Sequence, residues 1–193
     1  MINMNKKLVL IKKKLSNNKG FSLGELLVAT VILLLASQIL AQGVAYAARM
    51  YNESLTRSHA KQLCSSLTAV IETELRYTTS ITYDEKTGKL LTYFSRDYGQ
   101  SNSGFLSIDS DDNEVSTGEI AVRTSTGENT NKYHRLLSSS TYSSYDLEAK
   151  VSSAVYDLSN NKFTISLTVY ERNGDKQLET TFDVIPANDL KIN

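Results

Sequence analysis

The chain has 193 residues and a mass of 21.4 kDa, with 21 basic and 21 acidic side chains. That length accommodates one domain of about 100 to 150 residues plus an appendage, and argues against two folded domains. Lys6, Lys7, Lys12, Lys13, Lys14 and Lys19 precede Phe21 with no acid among them, which leaves 15 basic against 21 acidic residues in the rest and argues against a nucleic-acid-binding body.

Residues 1–20 form a basic leader, and from Leu26 to Ala48 no formal charge occurs. As a helix this stretch would reach about 35 Å, enough for a hydrocarbon core of about 30 Å. The lysines before it predict a cytoplasmic N-terminus, with everything after Ala48 outside. Thr30, Ser37, Gln38 and Gln42 make the span less apolar than a plain anchor and suit a helix that packs on other helices. Three readings compete. An uncleaved signal anchor accounts for the lysines and the length but leaves Glu25, at the mouth of the span, unexplained. A secretory signal peptide has a candidate A-x-A site at Ala45-Tyr46-Ala47, although its apolar region normally runs only about 7 to 15 residues. The third reading is cleavage before the apolar run, at Gly20.

The order Lys19, Gly20, Phe21, then Glu25 four residues on, then a long apolar run resembles the type IV prepilin and pseudopilin family over residues 13 to 48. The resemblance implies that a prepilin peptidase cuts between Gly20 and Phe21 and that the new amine of Phe21 is methylated. Glycine at the scissile position lets the backbone approach the protease closely. It also implies an assembly role for Glu25: a carboxylate at a membrane span is costly without a partner, and in the family this acid meets the N-terminal amine of a neighbouring subunit. A boundary acid that complements the helix macrodipole is the other reading of Glu25. Gln42 stands where many major pilins carry proline, and the cysteine pair of many pilin heads is missing, since Cys64 is the sole cysteine. Those departures point to a minor pilin or pseudopilin.

Beyond Ala48 the pattern turns amphipathic. Leu55, Ala60, Leu63, Leu67, Val70, Ile71 and Leu75 recur at helical spacing with Arg57, Lys61, Glu72 and Arg76 between them, which carries the helix to about Tyr77. Cys64 reads as core filler. Strands are predicted at Ser80–Tyr83, Lys89–Phe94, Phe105–Asp109, Glu119–Thr124, Ala149–Leu158, Phe163–Glu171 and Gln177–Ile185. Asp84 to Gly88 has hairpin-turn composition, and Asn173-Gly174 is the strongest short hairpin signal. Segments 125–132 and 138–144 read as exposed loops.

No catalytic constellation appears. His59 and His134 have no nucleophile placed beside them by sequence, and no G-x-S-x-G elbow or phosphate-cradling glycine loop occurs. Asp109, Asp111 and Asp112 form the one weak metal candidate. Clustered oxygens attract Ca²⁺, and some pseudopilins hold calcium in the head, but the run lacks EF-hand spacing and reads better as a solvated acidic turn.

The expected fold is therefore α+β, pilin-like in the sense of the resemblance. Leader 1–20 precedes a transmembrane or filament-core helix 21–48, its amphipathic continuation 49–78, and an extracytoplasmic head 79–193 with an antiparallel sheet. The resemblance implies a filament subunit without enzymatic activity and without a required cofactor. Its implied partners are a prepilin peptidase, other pilin subunits, an assembly platform with its ATPase, and the membrane; the filament would serve type IV pilus, competence or type II secretion machinery. A signal-anchored or secreted β-rich domain that binds an extracellular ligand is the alternative.

Overall fold

The computed structural model describes residues 22–107, 118–125 and 131–193. The chain divides into two compact units, Met1–Tyr51 and Asn52–Asn193, and one helix, α1 (Leu23–Arg76), contributes to both.

In the first unit, the described residues are Ser22 and α1 through Tyr51, and every one of them is exposed. Leucine and alanine without proline favour the helix. Its hydroxyls are satisfied locally: Thr30 Oγ1 donates to the Leu27 carbonyl and Ser37 Oγ to the Leu34 carbonyl, each at 2.8 Å. Those two side chains thus need nothing from their surroundings. Gln38 and Gln42 have no hydrogen-bond partner among the described residues. The helix is long and apolar enough to cross a membrane.

In the second unit, α1 buries the stripe Ala60, Leu63, Cys64, Leu67, Ile71, Glu74 and Leu75. The expected pattern holds, with Leu55 and Val70 only half-buried at its margins. Cys64 is a buried free thiol, as its place on the stripe suggested. The helix stops at Arg76, close to the expected Tyr77; Arg76 pairs with Glu72 one turn back and complements the negative end of the helix.

Two sheets cover the stripe. The first contains β1 (Ser80–Tyr83), β2 (Leu90–Ser95), β3 (Gln100–Ser107), β4 (Ile120–Ser125), β5 (Asn131–Arg135) and β9 (Lys191–Ile192), ordered β5-β4-β3-β2-β1-β9. The second runs β6 (Leu147–Asp157), β7 (Lys162–Glu171), β8 (Lys176–Val184). All pairings are antiparallel except β1 with β9. One core cluster joins Ala60, Leu63, Cys64 and Leu67 to Ile120, Leu147, Ala149, Leu167 and Val169. A second joins Ile71 and Leu75 to Ile81, Tyr93, Val122, Tyr156, Phe163, Ile165 and Val184. Each fully buried large aliphatic or aromatic side chain contributes about 1.5 to 3 kcal/mol.

The expected strands appear within a few residues of their predicted ends, but three elements differ from expectation. Residues 131–135 form β5 where 131 and 132 read as loop, because its two half-buried residues, Tyr133 and His134, are adjacent and leave no period-two alternation to read. Within the serine-rich 138–144 lies a short helix, α2 (Ser139–Ser143), held by buried Tyr142, whose hydroxyl accepts the Ile120 N–H at 3.3 Å. β9 forms because the tail returns to the exit of α1: the N–H groups of Ala187, Lys191 and Asn193 donate to the carbonyls of Arg76, Thr79 and Ile81 at 2.7 to 3.0 Å. The Asp84 to Gly88 turn is present, with Gly88 at φ +70° donating to the Asp84 carbonyl at 2.7 Å. A side chain there would meet Val155 at 2.9 Å. The Asn173-Gly174 hairpin also forms, but only Gly174 is left-handed, so the turn is not the two-residue type that needs both residues at positive φ.

Candidate functional site

The start of α1 carries the acid singled out by sequence. Ser22 is the cap. Its N–H and its Oγ donate to Glu25 Oε2 at 2.9 and 3.0 Å, and its Oγ accepts the Glu25 N–H at 3.2 Å. This is a reciprocal capping box, in which two orphan backbone donors are satisfied by the side chains three residues apart. The signature Ser22-x-x-Glu25 is readable in the sequence itself. Glu25 therefore has a local partner within its own chain. Only Oε2 is engaged; Oε1 accepts nothing among the described residues. Gly20 and Phe21 lie outside the described residues, as do Asp109, Asp111 and Asp112. Among the described residues no group of three or more His, Cys, Asp or Glu side chains is placed to hold a metal ion.

The histidines have structural neighbours. His59 stacks on Tyr145 with ring centroids 3.4 Å apart. His134 stacks on Tyr98 at 4.0 Å, and its Nε2 lies 3.1 Å from Thr124 Oγ1.

Sequence reasoning missed a groove of about 430 Å³ in the second unit, lined by Ala69, Val70, Thr73 and Glu74 of α1, Asp97 and Tyr98 of the β2–β3 turn, and Arg135 and Leu136. Glu74 is only 6% exposed and accepts a hydrogen bond from Ser95 Oγ. Ser95 Oγ in turn accepts the Tyr98 N–H at 3.3 Å, which fixes the turn against the helix. Burial pushes the Glu74 carboxyl above its ordinary value, the Ser95 bond opposes that shift, and the negative charge of Asp97 adds to it. The fully buried Tyr93 hydroxyl has no hydrogen bond within normal geometry, and burial beside Glu74 raises it strongly. Arg135 is drawn to buried Glu119, 3.3 Å away, rather than to Glu74. The signal for Glu74 was its place three residues after Ile71, an acid on an otherwise apolar stripe.

Glu74 sets a pH dependence. Its folded pKa exceeds the unfolded value near 4.5, so the native state holds a proton that the unfolded chain releases first. Its contribution is fully present below pH 4.5 and is lost as pH rises through the folded value. Asp84, Asp157 and Asp183 are shifted down and slope the other way. The informative quantity is thus the difference between wild type and Glu74→Gln, measured by urea unfolding at several pH values. Wild type is expected to lose ground against the variant as pH rises from 4.5. Parallel curves would show that Glu74 titrates normally.

No protein-family model, no curated protein and no solved structure matches the chain.

Proposed function

We propose that the chain is the precursor of a filament subunit of the prepilin and pseudopilin type, inserted in the membrane through the first half of α1. The observation that carries this reading is the spacing of Gly20, Phe21 and Glu25 ahead of a helix that is wholly exposed and apolar through its first half and then buries a stripe beneath a β head. In this reading the leader is removed before Phe21, and the freed amine of one subunit meets Glu25 of another. The apolar halves of the helices pack inside the filament and the heads face outward. The role is mechanical, and its partners are a prepilin peptidase, sibling subunits and an assembly platform with its ATPase. The machinery served is a type IV pilus, a competence filament or a type II secretion system.

The mass and N-terminal sequence of the mature protein from its own cells test this. A chain beginning at Phe21, with a methylated amine, is expected. A start near Ala48 or an intact Met1 overturns the proposal. Either would favour an anchored or secreted ligand-binding domain, the reading that the Glu74 groove supports.

A further inference from the structure

Glu74 is only 6% exposed, yet it lines an open groove of about 430 Å³. Ser95 Oγ donates to Oε1, and Oε2 accepts no hydrogen bond within normal geometry among the described residues. The fully buried hydroxyl of Tyr93 stands beside the same carboxyl and is also without a hydrogen bond. Buried polar atoms in folded proteins are nearly always paired, so this corner of the groove has hydrogen-bonding capacity that the chain itself does not fill.

The surrounding charges select the ligand. Exposed Asp97 lines the groove, has no ion pair or hydrogen bond among the described residues, and adds a second negative charge close enough to act on Glu74. Arg135 lines it too, but its Nε lies 3.3 Å from Glu119 Oε2, so that charge is already matched. The balance favours a cation. A calcium ion would be poorly served, since it takes about six to eight oxygen ligands and no group of three or more His, Cys, Asp or Glu side chains is placed to hold a metal among the described residues. Ala69, Val70 and Leu136 offer apolar surface to an aliphatic stem, and a primary ammonium brings three donors and no acceptor. We propose that the groove binds an aliphatic primary ammonium group, which donates to Glu74 Oε2 while its stem lies on Val70, Tyr98 and Leu136.

The contact carries a pH dependence. Burial raises the Glu74 carboxyl, so at low pH the groove presents a neutral acid, and the ionised form that an ammonium favours appears as pH rises through the folded value. Binding therefore strengthens with pH. Tyr93, Tyr98, Asp97, Arg135 and the His134 ring stacked on Tyr98 face the same region. Their effects are common to wild type and Glu74→Gln, so the difference between the two belongs to Glu74.

The test titrates n-pentylamine into the isotopically labelled full chain in zwitterionic micelles and follows the backbone amides of Val70, Tyr98 and Leu136 by nuclear magnetic resonance. Saturable shifts at these residues are expected, with n-pentanol bound at least about tenfold more weakly for want of the charge. Glu74→Gln keeps an acceptor for Ser95 Oγ and is expected to weaken amine binding about tenfold and to flatten its pH profile. Asp97→Asn, at an exposed position, is expected to weaken it less than about threefold. Shifts confined to residues 23–51 would mean uptake by the micelle and overturn the proposal. So would equal affinity for amine and alcohol, equal affinity of wild type and Glu74→Gln, or displacement of the amine by an equal concentration of calcium chloride. A free amine and a lysine of another protein share this chemistry, and a blocked lysine tripeptide separates them: binding as tight as that of pentylamine assigns the groove to a protein lysine, and binding of pentylamine alone assigns it to a free amine. The groove lies wholly within the second unit and is independent of leader removal. A mature terminus other than Phe21 in a chain that still binds the amine overturns the filament reading alone, and a Phe21 terminus without binding overturns only the groove.

Discussion

Glutamine at position 25 is expected to stop filament assembly as completely as alanine does, while both variants still lose the leader. The capping box makes this comparison decisive. Glutamine at the third helical position supports a capping box much as glutamate does, so Glu25→Gln keeps the contacts to Ser22 and removes the charge alone. Glu25→Ala removes both the charge and the two side-chain contacts to Ser22. If the acid serves to meet a neighbour's cationic amine in an apolar surround, losing the charge lowers assembly by more than about tenfold in either variant. Oε1 is open for that contact while Oε2 holds the cap, so one carboxylate can serve both purposes. Filament yield per cell and the N-terminal sequence of the membrane-held subunit are the two readouts. Normal filaments from Glu25→Gln beside defective ones from Glu25→Ala would reduce Glu25 to a capping residue.

Phe163→Ala is expected to cost the head about 3 to 5 kcal/mol, the range for removing a fully buried aromatic ring. Phe163 is 0% exposed, packs on Tyr156 with centroids 5.1 Å apart, and belongs to the cluster that holds Ile71 and Leu75 of α1. Native stabilities of domains are themselves only about 5 to 15 kcal/mol. The same truncation at Leu91, which is half-exposed on β2, is expected to stay within about 1 kcal/mol. Urea unfolding of the full chain in micelles measures both, followed by near-ultraviolet circular dichroism of its 11 tyrosines in the absence of tryptophan. Equal midpoints for the two variants would mean that Phe163 is not a core residue.

Much of the fold was legible because its signals are periodic. The stripe from Ala60 to Leu75 repeats at helical spacing, and the alternation of Phe163, Ile165, Leu167 and Val169 names both a strand and its buried face. Elements fixed by tertiary partners were not legible. β9 is two residues long and forms only because the exit of α1 offers carbonyls to the returning tail. The serine-rich helix depends on one tyrosine reaching the Ile120 N–H, a contact across 22 residues. The division of the strands into two sheets is also set by packing on the helix, since nothing in the local alternation separates β5 from β6. At the candidate sites, the spacing of Gly20, Phe21 and Glu25 was visible and the capping box could have been. The groove was not, because Glu74, Asp97, Tyr98 and Arg135 come from three places in the chain.

The tail bonded to the exit of α1 has a consequence for the order in which the protein is made. The buried stripe of the helix leaves the ribosome about a hundred residues ahead of Leu167, Val169 and Val184, which cover it, and at about 5 to 20 residues per second it waits on the order of 5 to 20 seconds for them. The backbone bond to Ile81 of β1 is made by Asn193, about 110 residues further along the chain. The contacts that close the head come from residues 167–193, so until those are made Leu63, Leu67 and Ile71 are a natural holding point for a chaperone.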